Sequence, residues 1–176
     1  MAIPVREGGA LLIRTLEALA RQTVAHELLL CDSGSSDGSA ERGSAAGARV
    51  IEIAATQFSH GDTRNLLMES ASGAHIAFLT QDAEPADERW LERLLAGFKE
   101  AADVALVYGP YLPRPDASPA VRWELKRWFA SLAPDGAPRI DRLDAEEIRS
   151  GTGESVLPAA ALIGARGYFT DANACI

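Results

Sequence analysis

The sequence predicts an α/β fold, a mostly parallel sheet flanked by helices in a single domain of 176 residues. Short apolar runs alternate with helical patterns through the first two-thirds of the chain, as in doubly wound sheets. Leu28-Leu29-Leu30-Cys31 is an unbroken apolar run, the pattern of a strand covered on both faces. Segments rich in Gly, Ser and Asp follow such runs, where loops leave a parallel sheet.

The elements follow in order. Ile3-Pro4-Val5 reads as a very short first strand. Leu12, Leu16 and Leu19, with Ile13 and Ala20 beside them, carry the spacing of an amphipathic helix. The run ending at Cys31 is the second strand, and residues 33–39 are a loop. A short Ala-rich helix ends near Gly47, and Val50-Ile51-Glu52-Ile53 reads as the third strand. A helix over 63–71 is stopped by Gly73, and Ile76-Ala77-Phe78-Leu79 is the fourth strand. Asp87 suits the N-cap of a helix burying Trp90, Leu91, Leu94, Leu95 and Phe98. A fifth strand is expected over 104–108.

After Tyr108 the rhythm changes. Prolines at 110, 113, 115 and 119 punctuate a loop, and Ser118-Pro119 opens a helix as N-cap and first helical residue. Val121, Leu125, Trp128, Phe129 and Leu132 share one side of it, for packing against the sheet or as one wall of an acceptor groove. The Trp123 and Trp128 pair is expected in core packing, with sugar stacking as the alternative. Residues 133–155 read as a connector rich in Gly, Pro and charge. Both ends read as cut, which predicts a fragment of a longer protein.

Composition removes several functions. Seventeen basic against 25 acidic side chains give a formal charge of −8, unsuited to a nucleic-acid binder. No apolar run approaches the roughly 18 residues of a membrane span, and the first residues lack an export signal. Two cysteines, Cys31 and Cys175, make neither a disulfide framework nor a metal cluster. A cytoplasmic protein is expected. His26, His60 and His75 lack metal-ligand spacing. His26 and His75 are expected at the surface or a strand edge, and His60 either touches a ligand or stabilises its loop.

Ligands of open α/β sheets bind beyond the carboxyl ends of the strands, and four polar clusters fall there. They are Arg6-Glu7-Gly8-Gly9, residues 32–38, residues 59–65, and Thr80-Gln81-Asp82-Ala83. Their convergence on one edge predicts a site. The second cluster lacks the G-x-G-x-x-G order of a dinucleotide site and the lysine of a P-loop. Asp32, directly after an apolar strand, can accept a hydrogen bond from a base N–H.

Ile3-Pro4-Val5 and then Cys31-Asp32-Ser33-Gly34-Ser35-Ser36-Asp37-Gly38-Ser39 resemble the donor-nucleotide signature of family-2 inverting glycosyltransferases. The runs 58–65 and 78–83 are similar to the rhamnosyltransferase-like branch, and 168–174 to its acceptor-side strand. The resemblance implies a GT-A fold, with residues 1–110 as the donor-binding half and 111–176 as a partial acceptor-side region. It further implies a dTDP- or UDP-type sugar donor, a saccharide or lipid-linked acceptor, and a setting that includes peripheral association with the inner face of the membrane.

Carried over by position, Pro4, Val5 and Glu7 would line the base pocket, and Asp32 would bind the base, with Ser33 and Gly34 beside it. Arg64 would offset diphosphate charge, and Gln81 and Asp82 would complete the nucleotide-sugar site. Asp82 matches the last acid of a D-x-D motif, which bridges Mg²⁺ or Mn²⁺ to the diphosphate. Thr80 stands where the first acid is usual, so weak or optional metal dependence is expected. Inversion needs a general base, and the family's base-bearing motif would lie beyond Ile176, with Asp171 a poor substitute. The other readings are a nucleotide-binding module without turnover and a sugar nucleotidyltransferase, for which Arg6-Glu7-Gly8-Gly9 is a poor match to the expected basic, Gly-rich loop.

Overall fold

A computed structural model of the chain describes residues 1–132, 135, 137, 140 and 174–176. It divides into two compact units, Met1–Gly109 with Asp171–Ile176, and Pro110–Thr170.

In the first unit the order is β1 (Ala2–Val5), α1 (Gly9–Ala20), β2 (Leu29–Asp32), α2 (Ser39–Ala45), β3 (Arg49–Glu52), a 3-10 turn (Ala55–Gln57), α3 (His60–Ser70), β4 (Ala77–Phe78), α4 (Trp90–Gly97) and β5 (Val107–Tyr108). The second unit holds α5 (Pro119–Leu132), and β6 (Ala174–Cys175) returns to the first. Among the described residues the strands form one sheet in the order β3-β2-β1-β4-β6-β5. The pairs β1–β2, β2–β3 and β1–β4 are parallel, so the mostly parallel α/β sheet is as the sequence predicts. β6 enters antiparallel to both β4 and β5 and lies between them. The fifth strand is shorter than expected, because Val107 and Tyr108 alone find partners on the two-residue β6.

Strand alternation explains why both faces are covered. Successive side chains point to opposite faces. Ile3, Val5 and Leu30 join Leu12, Leu16 and Leu19 of α1 and Trp90, Leu91 and Leu94 of α4 in one apolar cluster. Ala2, Leu29, Cys31 and Phe78 join Leu67 of α3 in the other. Each fully buried leucine contributes about 1.5–3 kcal/mol relative to exposure. The parallel strands therefore present their carboxyl ends together at one edge.

Two helix starts depart from the sequence reading. α3 begins at His60 because Ser59 caps it, its Oγ accepting the Asp62 N–H at 3.0 Å. α4 begins at Trp90, and Asp87 acts just ahead of it, Oδ1 accepting the Arg89 N–H at 2.9 Å.

Within the second unit, Tyr111, Trp128 and Phe129 form an aromatic group with centroids 4.7–6.1 Å apart. Trp123 is a correction: it is 62% exposed, with the Arg127 guanidinium 5.1 Å from its ring centroid, and does not pack in a core. It stands on the polar side of α5, about 140° from Trp128 at 100° per residue.

Candidate functional site

A cleft of about 250 Å³ opens at the carboxyl edge of the sheet. Pro4, Val5 and Arg6 reach it from the end of β1, and Phe58, His60 and Arg64 from the approach to α3 and its first turns. Thr80, Gln81 and Asp82 reach it from the loop after β4. Five predicted residues, Pro4, Val5, Arg64, Gln81 and Asp82, thus line one cleft. Arg6, Phe58 and Thr80 also line it, although the sequence placed them only in neighbouring motifs.

The loop after β2 adjoins this cleft through register, since Asp32 pairs with Val5. Asp32 is 3% exposed. Its Oδ1 accepts the backbone N–H groups of Gly34 at 3.0 Å and Ser35 at 2.8 Å, closing an Asx turn. Gly34 has φ 82°, which favours glycine. Asp32 Oδ2 is buried and accepts no hydrogen bond among the described residues. A buried polar oxygen so placed is costly unless a donor arrives.

Ser33 and Glu7 occupy supporting positions. Ser33 is buried and donates both its N–H and its hydroxyl to the Val5 carbonyl, at 2.9 and 3.0 Å. Glu7 adopts φ 49°, a strained setting for a non-glycine residue. Its N–H donates to Ser35 Oγ at 2.9 Å, and its carboxylate accepts from the N–H and hydroxyl of Ser36. These bonds lock the β1 and β2 loops together. Gly34, Ser33, Glu7 and Asp32 stand outside the cleft's lining and form this adjoining loop pair.

Further along the same loops, Asp37 accepts from the Gly9 N–H at 2.8 Å and from the N–H and hydroxyl of Ser39. The Ser39 hydroxyl, then the Gly9 amide, hold its carboxyl below the usual aspartate range. The starts of α1 and α2 are thereby joined.

The loop after β4 is tied to the end of β1, to α1 and within itself. Gln81 Oε1 accepts the Arg6 N–H at 2.8 Å, and its carbonyl accepts the buried Thr15 hydroxyl at 3.2 Å. Thr80 Oγ1 donates to Asp82 Oδ1 at 2.7 Å. Across the cleft's lining, Arg64 Nη1 donates to the His60 carbonyl at 2.8 Å, and His60 meets Phe58 edge-on at 5.0 Å. His60 therefore belongs to the cleft. His26 and His75 are exposed, as expected.

Asp82 is the one carboxylate lining the cleft, and no group of three or more His, Cys, Asp or Glu able to hold a metal exists among the described residues. This donor set fits Mg²⁺ or Mn²⁺ in one manner: one carboxylate plus phosphate oxygens and water. Asp171, Ala172 and Asn173 of the expected acceptor-side strand lie outside the described residues, as do 168–170; Ala174 is in β6.

Comparison with known proteins bears on the family and the fold. The family model for glycosyl transferase family 2 matches residues 1–143. The chain is 35% identical over 122 residues to the O-antigen chain rhamnosyltransferase RfbN of Salmonella typhimurium, covering 68% of this chain and 38% of that protein. It is 37% identical over 94 residues to the O-antigen chain rhamnosyltransferase WbaN of Salmonella anatum, covering 53% and 30%. The chain thus spans about a third of the length of these relatives. In fold it is similar to glucosyl-3-phosphoglycerate synthase from Mycobacterium tuberculosis in complex with UDP, with a TM-score of 0.55 at 20% identity, covering 76% of this chain and 49% of that one. The same enzyme has been solved with Mn²⁺, UDP-glucose and phosphoglyceric acid, at a TM-score of 0.52. These likenesses carry the GT-A fold.

Proposed function

The chain belongs to glycosyl transferase family 2, and from that premise we propose that it forms the donor half of an inverting glycosyltransferase. The sugar is rhamnose on this reading, supported by the likeness to two rhamnosyltransferases. It passes from a dTDP- or UDP-type donor to a saccharide or lipid-linked acceptor. A lipid-linked acceptor would place the protein at the inner face of the membrane; no described helix is long and apolar enough to cross one.

The observation that carries the reading is the buried, unpartnered Oδ2 of Asp32 beside a cleft lined by Arg64 and Asp82. Oδ2 would accept the ring N–H of a pyrimidine while Oδ1 keeps its loop closed. Pro4 and Val5 give the base an apolar wall, and Glu7, Ser33 and Gly34 hold the loops that flank it. Arg64 offsets diphosphate charge, Gln81 fixes the loop after β4 through the Arg6 N–H, and Thr80 orients Asp82. A divalent cation bound between Asp82 and the diphosphate would stabilise the leaving group. Without one, a carboxylate ~4 Å from a phosphate charge is repelled by ~4 kcal/mol at an effective dielectric of 20. The general base that takes the acceptor's hydroxyl proton is assigned to a carboxylate outside the described residues.

The test is calorimetric titration with dTDP, UDP and GDP, with and without Mg²⁺ or Mn²⁺, followed by assay of transfer from the matching rhamnose donor. Saturable binding of one diphosphate, lost in Asp32→Ala, is expected. Failure of all three to bind at millimolar concentration would reject the donor site.

A further inference from the structure

Arg6 follows β1 directly, and its backbone is held on both sides. Its own N–H donates to Gln81 Oε1 at 2.8 Å. The next residue, Glu7, is pinned by Ser35 and Ser36. The Arg6 side chain is exposed and lines the cleft with Arg64, His60 and Asp82. Arg14, Arg42, Arg49, Arg89 and Arg93 are engaged in ion pairs with carboxylates, and Arg6 takes part in none of these. Two guanidinium groups, those of Arg6 and Arg64, are thus among the residues lining the cleft, with Asp82 as the carboxylate of that lining.

The Arg6 guanidinium has no use in holding the fold, because Arg6 anchors the loops through its backbone alone. It suits an anion. A guanidinium presents a planar fork of N–H donors that matches two phosphate oxygens, and it is always charged. Its fixed backbone also lowers the ordering cost of engaging a ligand.

We propose that Arg6 binds the diphosphate of the donor directly, so that the cleft retains a nucleoside diphosphate even when no divalent cation accompanies it. The proposal rests on the donor-site reading above and deepens it. Positive charge that a bound divalent cation would bring to the diphosphate is then supplied by the chain itself, at the position next to the first strand.

The test is calorimetry in EDTA, titrating UDP and dTDP into the wild type, Arg6→Ala and Arg6→Lys, with uridine and thymidine measured by competition. The wild type is expected to bind one diphosphate in EDTA. Arg6→Ala should weaken it about tenfold or more, the scale of a hydrogen bond to a charged group, and leave nucleoside affinity within about twofold. Arg6→Lys should recover part of the loss, since it keeps the charge without the fork. Raising the salt should weaken the wild type more than Arg6→Ala. Equal diphosphate affinity in wild type and Arg6→Ala overturns the proposal, and so does an equal loss for nucleoside and diphosphate, which would make Arg6 a shaper of the pocket. If the wild type binds no diphosphate with or without Mg²⁺, the donor-site reading fails and this proposal with it. If it binds only with Mg²⁺, this proposal alone fails.

Discussion

Thr80 Oγ1 donates a 2.7 Å hydrogen bond to Asp82 Oδ1, so a hydroxyl stands where a D-x-D motif would place its first acid, and it orients the second. One oxygen of Asp82 is thus partly occupied before any cation arrives. Thr80→Asp would place two carboxylates on the loop. We expect it to raise Mn²⁺ affinity in the presence of UDP or dTDP by tenfold or more, on the order of one further charge-assisted contact. Calorimetry of Mn²⁺ into the nucleotide-saturated protein reads this directly. Unchanged or weaker Mn²⁺ binding would mean that Asp82 is not the cation's ligand.

Asp32→Asn separates the two duties of one side chain. Asn can still accept the Gly34 and Ser35 amides through its carbonyl, as Asp32 Oδ1 does. Its amide nitrogen then stands where Oδ2 was, a donor facing a donor. Nucleotide affinity should fall ten- to hundredfold, the range of about 1.5–3 kcal/mol for a hydrogen bond to a charged group, with little change in Tm. Calorimetry and thermal melting on the same preparation check both halves. A large fall in Tm with unchanged affinity would assign Asp32 to the fold alone.

The sheet and its first four strands were readable because alternation and apolar runs report burial, as in Leu29 to Cys31 and Ala77-Phe78. The convergence of polar loops followed from strand direction. What escaped was set by tertiary pairing. A two-residue strand such as β6 has no pattern of its own, and its place between β4 and β5 depends on distant partners. Likewise Arg6, Phe58 and Thr80 sit in motifs that sequence could name, but which loop side chain lines a cleft depends on the backbone path. Ser33 illustrates the converse: a residue of a binding signature turns its hydroxyl to the Val5 carbonyl. Trp123 escaped for a simpler reason, since an aromatic residue near an apolar helical stripe invites a core assignment that Arg127 and solvent take instead.

Gly97 closes α4 against β5. A Cβ there would lie 2.7 and 2.8 Å from the two methyl groups of Val107. Because valine is stiff at χ1, neither rotation of the side chain nor a small shift relieves both contacts. Overpacking costs about 1–3 kcal/mol, against less than about 1 kcal/mol of helix propensity gained at a helix end. Gly97→Ala should therefore destabilise by roughly 1–2 kcal/mol in urea unfolding. Combined with Val107→Ala, it should cost less than the two single changes added together. Strict additivity would show that the contact is relieved elsewhere.

Asp37 gives a stability effect with a defined sign. Its folded carboxyl titrates below the ordinary aspartate value, through Ser39 first and Gly9 second. The stabilisation is then complete above the unfolded value near ~4 and is lost as pH falls through the folded value. The Tm gap between wild type and Asp37→Asn should be constant near neutrality and shrink as pH drops below ~4. A gap that widens on acidification would reverse the assignment.

The two thiols offer the last prediction, because they sit in strands of unequal support. Burial pushes the Cys175 thiol up to about 11 and raises Cys31 as well, with the Asp32 charge adding to the latter. The thiolate that alkylation needs is therefore scarcer at pH 8 than in an ordinary cysteine, before burial blocks access. Native protein should resist iodoacetamide at both positions. Cys31 lies inside β2, paired on both sides over four residues, whereas Cys175 lies in β6, with two residues paired on each side. Local opening therefore frees Cys175 at lower cost than Cys31. In low urea, mass spectrometry should find Cys175 alkylated first, with a shallow urea dependence, and Cys31 only with global unfolding. Simultaneous labelling of both would show that β6 and the parallel strands open as one cooperative unit.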